Sequence, residues 1–277
     1  MKHSSTSPLK QVWQRPPGNF QPQQYQGAGW SPTKNQDVQD QFQEFVKIFH
    51  KQNIEVVILP TAKDPDGIYV YDTFMHTKWG LILFQSPKPN RVHETKELAS
   101  FFSKHIILGK ITTPGSIDGG DVFWLDSQTL AVGMSWRSNR EGFMQLKTLL
   151  SPYNINVEAF DLPNLFGPQE CLHLMSVISP IREDLALIYP SALPIRLYQE
   201  LIRRDIHCIC VPEEEFHTLG SNVLALGDNK AISVGGNPCT AKALRAHGIE
   251  LFELYAPDLC IAGTGGPTCL TSTALRL

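Results

Sequence analysis

Five polar side chains recur along this chain at a nearly constant interval. They are Asp72, Asp118, His173, Asn222 and Cys269, separated by 46, 55, 49 and 47 residues. A thiolate beside an imidazole is a nucleophile paired with a general acid and base. One carboxylate can orient that imidazole and stabilise its charged form. The second carboxylate is then left to hold a cation, and guanidinium matches a carboxylate through two parallel hydrogen bonds. Brought together, the set would attack a guanidinium carbon. Taken singly, each residue also has a plain structural use: a turn aspartate, a satisfied core histidine, a capping asparagine, a buried thiol. Their common placement favours chemistry, because gathering five polar groups around one axis is costly without a use. The thiol follows a Gly-rich turn, "GTGGPTCLTS" (Gly263 to Ser272), where many chains only fray and where glycine permits close backbone approach.

The elements that must position these residues form a repeat. Four times the chain reads strand, strand, helix, strand, with Tyr69, Val122, Leu174 and Val223 at corresponding first-strand positions, 53, 52 and 49 residues apart. Such a period marks a repeat architecture. The beginning supplies "LKQVWQR" as one short strand, a helix with Val38, Phe42, Phe45, Val46 and Phe49 at helical spacing, and the strand "IEVVILP". The end supplies a turn and a last strand. Together the two ends make a fifth unit, so the expectation is a closed ring of five ββαβ units, a five-bladed α/β propeller. The doubled strand before each helix distinguishes this from a doubly wound sheet. In such a ring the first strands lie nearest the axis, and the five polar residues stand at their starts.

Composition narrows the classes further. The 42% hydrophobic and 18% charged content is that of an ordinary globular chain of 277 residues. The net charge of −3, with both signs mixed, implies no nucleic-acid partner. "IRRDIH" reads as a solvated helix end. No apolar run is long enough to span a bilayer, and the start of the chain lacks the apolar stretch of a secretory signal. Six cysteines with no CxxC pair argue against a disulfide scaffold or a structural zinc. The expectation is a cytoplasmic protein with free thiols. Residues 1–35, rich in Gln, Pro and Gly, are expected to be a flexible segment ahead of a single catalytic domain over 36–277. Within that segment Gly18 to Pro32 carries Phe20, Tyr25 and Trp30, which suits a lid.

"IDGGDVF" (Ile117 to Phe123), "VGMSWRSNREG" (Val132 to Gly142), "CLHLMS" (Cys171 to Ser176), "GGPTC" (Gly265 to Cys269), "PDGIYVYD" (Pro65 to Asp72) and "RVHE" (Arg91 to Glu94) together resemble the guanidine-modifying enzymes, or penteins. Among these the chain is most similar to the dimethylarginine dimethylaminohydrolases, from about Pro60 to the C-terminus. The resemblance implies Cys269 as nucleophile, His173 as general acid and then base, and Asp118 as support for the histidine. Asp72 would grip the guanidinium. Asp66, Arg91 and Arg137 would bind the amino and carboxylate ends of the substrate, and Asp121 would hold the Gly-Gly turn.

The implied reaction is hydrolysis of a methylated arginine-type guanidine to an alkylamine and citrulline through a thiouronium, with no metal or organic cofactor. Two positions depart from relatives. Arginine deiminases carry an aspartate where this chain has Met175, and methylarginine hydrolases usually have an acid where it has Tyr71. An arginine deiminase, an amidinotransferase or a non-catalytic guanidine-binding protein stay open as alternatives. The expected partner is the guanidine substrate, with a homodimer left open.

Overall fold

The structure, a computed structural model, describes residues 3–165, 167 and 172–277. Cys171, the first residue of "CLHLMS", lies outside the described residues. Fifteen strands form five three-stranded sheets among the described residues. The first sheet holds β3 (Phe74–Thr77), β4 (Gly80–Leu83) and β5 (Ile107–Lys110). The second holds β6 (Val122–Asp126), β7 (Thr129–Met134) and β8 (Asn156–Asp161). The third holds β9 (Ile178–Arg182), β10 (Leu185–Ile188) and β11 (His207–Cys210), and the fourth β12 (Val223–Gly227), β13 (Lys230–Val234) and β14 (Glu250–Leu254).

In each sheet the first strand pairs antiparallel with the second, and the second parallel with the third. A parallel return needs a crossover, and helical turns supply it. Arg140–Leu150, Ile195–Arg203 and Pro238–Ala246 do so in sheets two to four, and two short helical turns, Glu94–Glu97 and Ala99–Phe102, in the first.

The fifth sheet closes the ring as the repeat requires. Its first strand is β15 (Ser272–Arg276), antiparallel to β1 (Leu9–Gln14), which runs parallel to β2 (Glu55–Ile58). The helix Asn35–Lys51 crosses between β1 and β2 and buries Val38, Phe42, Phe45, Val46 and Phe49, the five residues its spacing picks out. Each such burial contributes about 1.5–3 kcal/mol.

Five apolar clusters fill the seams between neighbouring sheets. One joins Ile82 and Phe84 to Val122 and Leu130, and the next joins Phe123 and Phe160 to Ile178 and Ala186. A third joins Leu185 and Ile209 to Val223 and Ala231, and a fourth joins Leu224 and Ile232 to Val12 and Phe42. The last joins Trp13 and Ala274 back to Phe74 and Leu81. Every sheet is therefore cored on both sides, and no seam is left open.

The N-terminal segment differs from its compositional reading. β1 is the middle strand of the fifth sheet, so a boundary at residue 35 would cut that unit between its second strand and its helix. Residues Pro22–Ala28 form a short helix with proline in its first turn. Phe20, Tyr25 and Trp30 are buried in the seam between the fourth and fifth sheets. Three aromatic side chains with a cavity to fill outweigh the Gln and Gly around them. No helix among the described residues is long and apolar enough to cross a membrane.

Candidate active site

The five recurring residues stand where the repeat puts them, just ahead of β3, β6, β9, β12 and β15. Asp118 is extended and precedes a single 3-10 turn, Gly119–Asp121, that leads into β6. His173 is extended at the start of the short helix Leu174–Val177, and its backbone N–H donates to Ser176 Oγ at 3.1 Å. Its imidazole lies between the two carboxylates, with Nε2 3.4 Å from Asp118 Oδ2 and Nδ1 3.9 Å from Asp72 Oδ1. Gly120 is obligatory here: a Cβ on it would stand 2.3 Å from His173 Nδ1. Its N–H donates to Asp72 Oδ1 at 2.8 Å.

The Gly-rich turn before Cys269 has the same kind of cause. A Cβ at Gly265 would meet the Tyr69 ring at 2.3 Å, and one at Gly266 would meet Asn222 Oδ1 at 2.6 Å. Asn222 accepts from Thr268 N–H at 3.1 Å and donates to Cys269 Sγ at 3.3 Å. The backbone carbonyl of Cys269 accepts from Tyr71 N–H at 3.2 Å. Among the five residues Cys269 alone keeps partial exposure. Burial of its sulfur, and then the nearby Asp72 charge, push the thiol up to about 11, against the pull of Asn222 and His173.

Asp72 is charged. Burial opposes its charge, but His173, Arg91 and the Gly120 N–H outweigh it and hold the carboxyl below its usual range. Asp118 is fully buried, and its Oδ1 has no hydrogen-bond partner among the described residues. Asp121 is positional: it accepts from Ser135 Oγ and Ser138 Oγ, both at 2.6 Å, and from Leu174 N–H at 2.9 Å. It thereby ties the Gly-Gly turn to the strand end and to the residue after His173, and its burial pushes it up to about 6.

The residues expected to hold the ends of an amino acid are already engaged. Arg91 is buried, forks onto Glu94 at 2.8 and 3.0 Å, donates to Asp72 Oδ2 at 2.6 Å and reaches the Tyr69 carbonyl at 3.0 Å. Asp66 accepts from Trp30 Nε1 at 2.9 Å and Asn90 Nδ2 at 3.1 Å and pairs with Lys88. Burial raises its pKa, but Lys88 and Arg91 outweigh that and hold it low. Arg137 lies 3.6 Å from Asp118 Oδ2 with some exposure left.

Glu94 and Lys88, given no role in the sequence motifs, also stand at the site, and Trp30 of the expected lid bonds to Asp66. Glu94 is signalled by its i,i+3 spacing from Arg91, whereas no spacing signals Lys88. One donor atom each from Asp72, Asp118 and His173 falls within 4.8 Å of the others, a set that could also take a cation. Met175 is buried, and with Tyr71 it lines a cavity on the ring axis.

A family model described as N,N dimethylarginine dimethylhydrolase, eukaryotic, matches residues 24–275. The chain belongs to this dimethylarginine dimethylhydrolase family. It is 30% identical over 238 residues to the uncharacterized protein YkgA of Bacillus subtilis (strain 168), covering 86% of this chain and 80% of that one. Two solved structures share its pentein fold. A cysteine-to-serine mutant of the Pseudomonas aeruginosa enzyme in complex with citrulline superposes with TM-score 0.78 at 18% identity, over 98% of this chain and 100% of that one. The N-terminal domain of ArgZ, a cyanobacterial arginine dihydrolase, as a variant covalently bound to a reaction intermediate, superposes with TM-score 0.81 at 17% identity, over 96% and 98%.

Proposed function

We propose that this chain is a cysteine-dependent hydrolase of a methylated arginine-type guanidine, releasing an alkylamine and a citrulline-type urea. The single observation that carries the reading is the convergence, from the starts of five different sheets, of a thiol, an imidazole, two carboxylates and an amide. Membership of the family and the intermediate held covalently in the ArgZ structure support it.

The free thiol, at about 11, is protonated at neutral pH. A guanidinium seated against Asp72 and Asp118 cancels the charge that raises the thiol and adds a positive one, so substrate itself favours the thiolate. Cys269 Sγ attacks the guanidinium carbon, and the thiol proton passes to His173. His173 delivers a proton to the substituted nitrogen, the C–N bond breaks and the alkylamine leaves. Water then attacks the thiouronium carbon while His173 takes its proton. The C–S bond breaks, the thiolate departs, and the urea is released. Overall one water is consumed, and no group is oxidised or reduced.

Asn222 steadies the sulfur, and Asp118 orients the imidazole. Arg91 acts as a positioning residue that fixes Asp72. Arg137 and Lys88, each partly exposed, are the cations left for a substrate carboxylate, with Asp66 beside Lys88 for the amino group. Trp30, bonded to Asp66, makes the 18–32 segment a cover for that end of the site. With Met175 turned to the axial cavity, no additional carboxylate among the described residues clamps the far nitrogen, which suits one that carries methyl groups.

The test is incubation with asymmetric dimethylarginine, monomethylarginine, arginine and agmatine, assaying urea-type product and released amine together. Turnover of a methylated arginine with methylamine or dimethylamine in equal amount supports the reading. Turnover of arginine alone, with ammonia, replaces it by a deiminase, and binding without product by a silent receptor.

A further inference from the structure

The first strands of all five sheets enclose a cavity on the ring axis, behind the active site. Its walls include Met75 and His76 of β3, Phe123 of β6, Pro180 of β9, Ala225 of β12 and Arg276 of β15. Tyr71 and Thr268, neighbours in sequence of Asp72 and Cys269, also line it. It encloses about 60 Å³, several times the roughly 10–15 Å³ that one water needs.

Arg276 makes this cavity unusual. Its side chain is 4% exposed. Nη1 donates to the Ser7 carbonyl at 2.5 Å and Nη2 to the Ala225 carbonyl at 2.8 Å, while Nε has no partner among the described residues. No carboxylate pairs with it among those residues either, in contrast to Arg91, which has two. An isolated buried cation is costly, and neutral carbonyls solvate it without cancelling its charge. Two further buried polar atoms of the same lining lack partners among the described residues, His76 Nε2 and Thr268 Oγ1. A hydroxyl and a neutral imidazole N–H can each donate a hydrogen bond. Among the described residues the wall therefore offers one positive charge and two potential donors, and no negative charge.

We propose that the axial cavity binds one small inorganic anion of about chloride size, with the Arg276 guanidinium as its counter-charge. Electrostatics agrees with the geometry. Burial lowers Arg276 to about 10, which still leaves it charged at neutral pH. Burial also lowers His76 to about 3, so that ring is neutral and brings no second charge. The Tyr71 hydroxyl is used up on the Val122 carbonyl at 2.9 Å, so it does not neutralise the arginine. Ser4 and Ser5 also form part of the lining, with Ser5 Oγ donating to the Trp124 carbonyl at 3.1 Å.

The test uses the full chain in two arms. Wild-type protein is melted in sodium chloride and in sodium gluconate at equal ionic strength, gluconate being too large for the cavity. Crystals are soaked in bromide and the anomalous signal is mapped. The expected results are a melting temperature a few degrees higher in chloride and a bromide peak beside Arg276. In Arg276→Met, a near-isosteric neutral variant, the chloride response should vanish, and in Arg276→Lys it should partly persist. Equal melting in both salts with an empty cavity overturns the proposal, as does a chloride response that survives in Arg276→Met. A bromide peak without any chloride-dependent shift means binding at crystal concentration only, and also overturns it. Should Arg276→Met fail to fold, the two wild-type arms decide.

Discussion

The thiol of Cys269 should be almost inert in the free protein. At pH 7.5 a group at about 11 is ionised in roughly three molecules in ten thousand, against roughly one in ten for an ordinary cysteine near 8.5. Only the thiolate is alkylated, so iodoacetamide should modify Cys269 on the order of 300-fold more slowly than an unperturbed thiol. Its rate should climb about tenfold per pH unit and level off only above about pH 11. Replacing Asp72 by Asn removes the neighbouring negative charge that helps to raise the thiol, and it frees the positive charge of Arg91. Both changes favour the thiolate. The midpoint should fall by about one unit or more, and alkylation at neutral pH should quicken about tenfold. Cys208, Cys210 and Cys239 are also partly or fully exposed, so the assay must follow the Cys269 peptide by mass spectrometry. A wild-type alkylation midpoint at or below pH 8, or a midpoint that rises in Asp72→Asn, would refute the claim that burial and Asp72 suppress the free thiolate.

Arg91→Met strands the buried carboxylates Asp72 and Glu94 and should cost about 3–5 kcal/mol, read as a large drop in melting temperature. A substrate-binding role alone would instead raise KM and leave melting unchanged. Asp121→Ala removes the acceptor of three hydrogen bonds, two of them buried, and should lower stability by about 3 kcal/mol. Because Asp121 is raised to about 6, its contribution is fullest below its unfolded value near 4 and fades as pH rises through 6. The gap in melting temperature between wild type and variant should accordingly be wider near pH 5 than near pH 7. Trp30→Phe keeps the stacking on Tyr69 but loses the bond to Asp66. KM should rise several-fold with little change in melting temperature, and an unchanged KM would end the idea of the segment as a cover.

The ring and the five recurring polar positions were legible because a repeat fixes both at once. One period of about fifty residues placed Asp72, Asp118, His173, Asn222 and Cys269 at equivalent strand starts, and the two half-units at the chain ends completed the fifth sheet. The helix Asn35–Lys51 was legible residue by residue from its apolar spacing. In residues 1–35 the strand "LKQVWQR" was legible as part of the fifth unit, whereas composition, which counts Gln and Gly, gave no sign of the three aromatic rings buried in a seam. The substrate-end residues were only half legible. The family resemblance points to Arg91 and Asp66 for the substrate's ends, but the partners of Asp66 come from segments outside the repeat. Lys88 and Asn90 reach Asp66 from such a loop, and Trp30 arrives from the N-terminal segment. Spacing cannot say which charges are already cancelled. The unpaired Arg276 was invisible for the same reason, since a lone arginine on a strand gives no sign that its counter-charge is missing.

Mass spectrometry of protein quenched in acid during turnover of asymmetric dimethylarginine bears most directly on the central claim. The account predicts a Cys269 peptide carrying the substrate as a thiouronium less the amine. The adduct should accumulate further in His173→Ala if attack survives, and Cys269→Ser should fold normally yet form no product. Steady production of citrulline with Cys269 unmodified at every quench time, together with near wild-type turnover by Cys269→Ser, would contradict it.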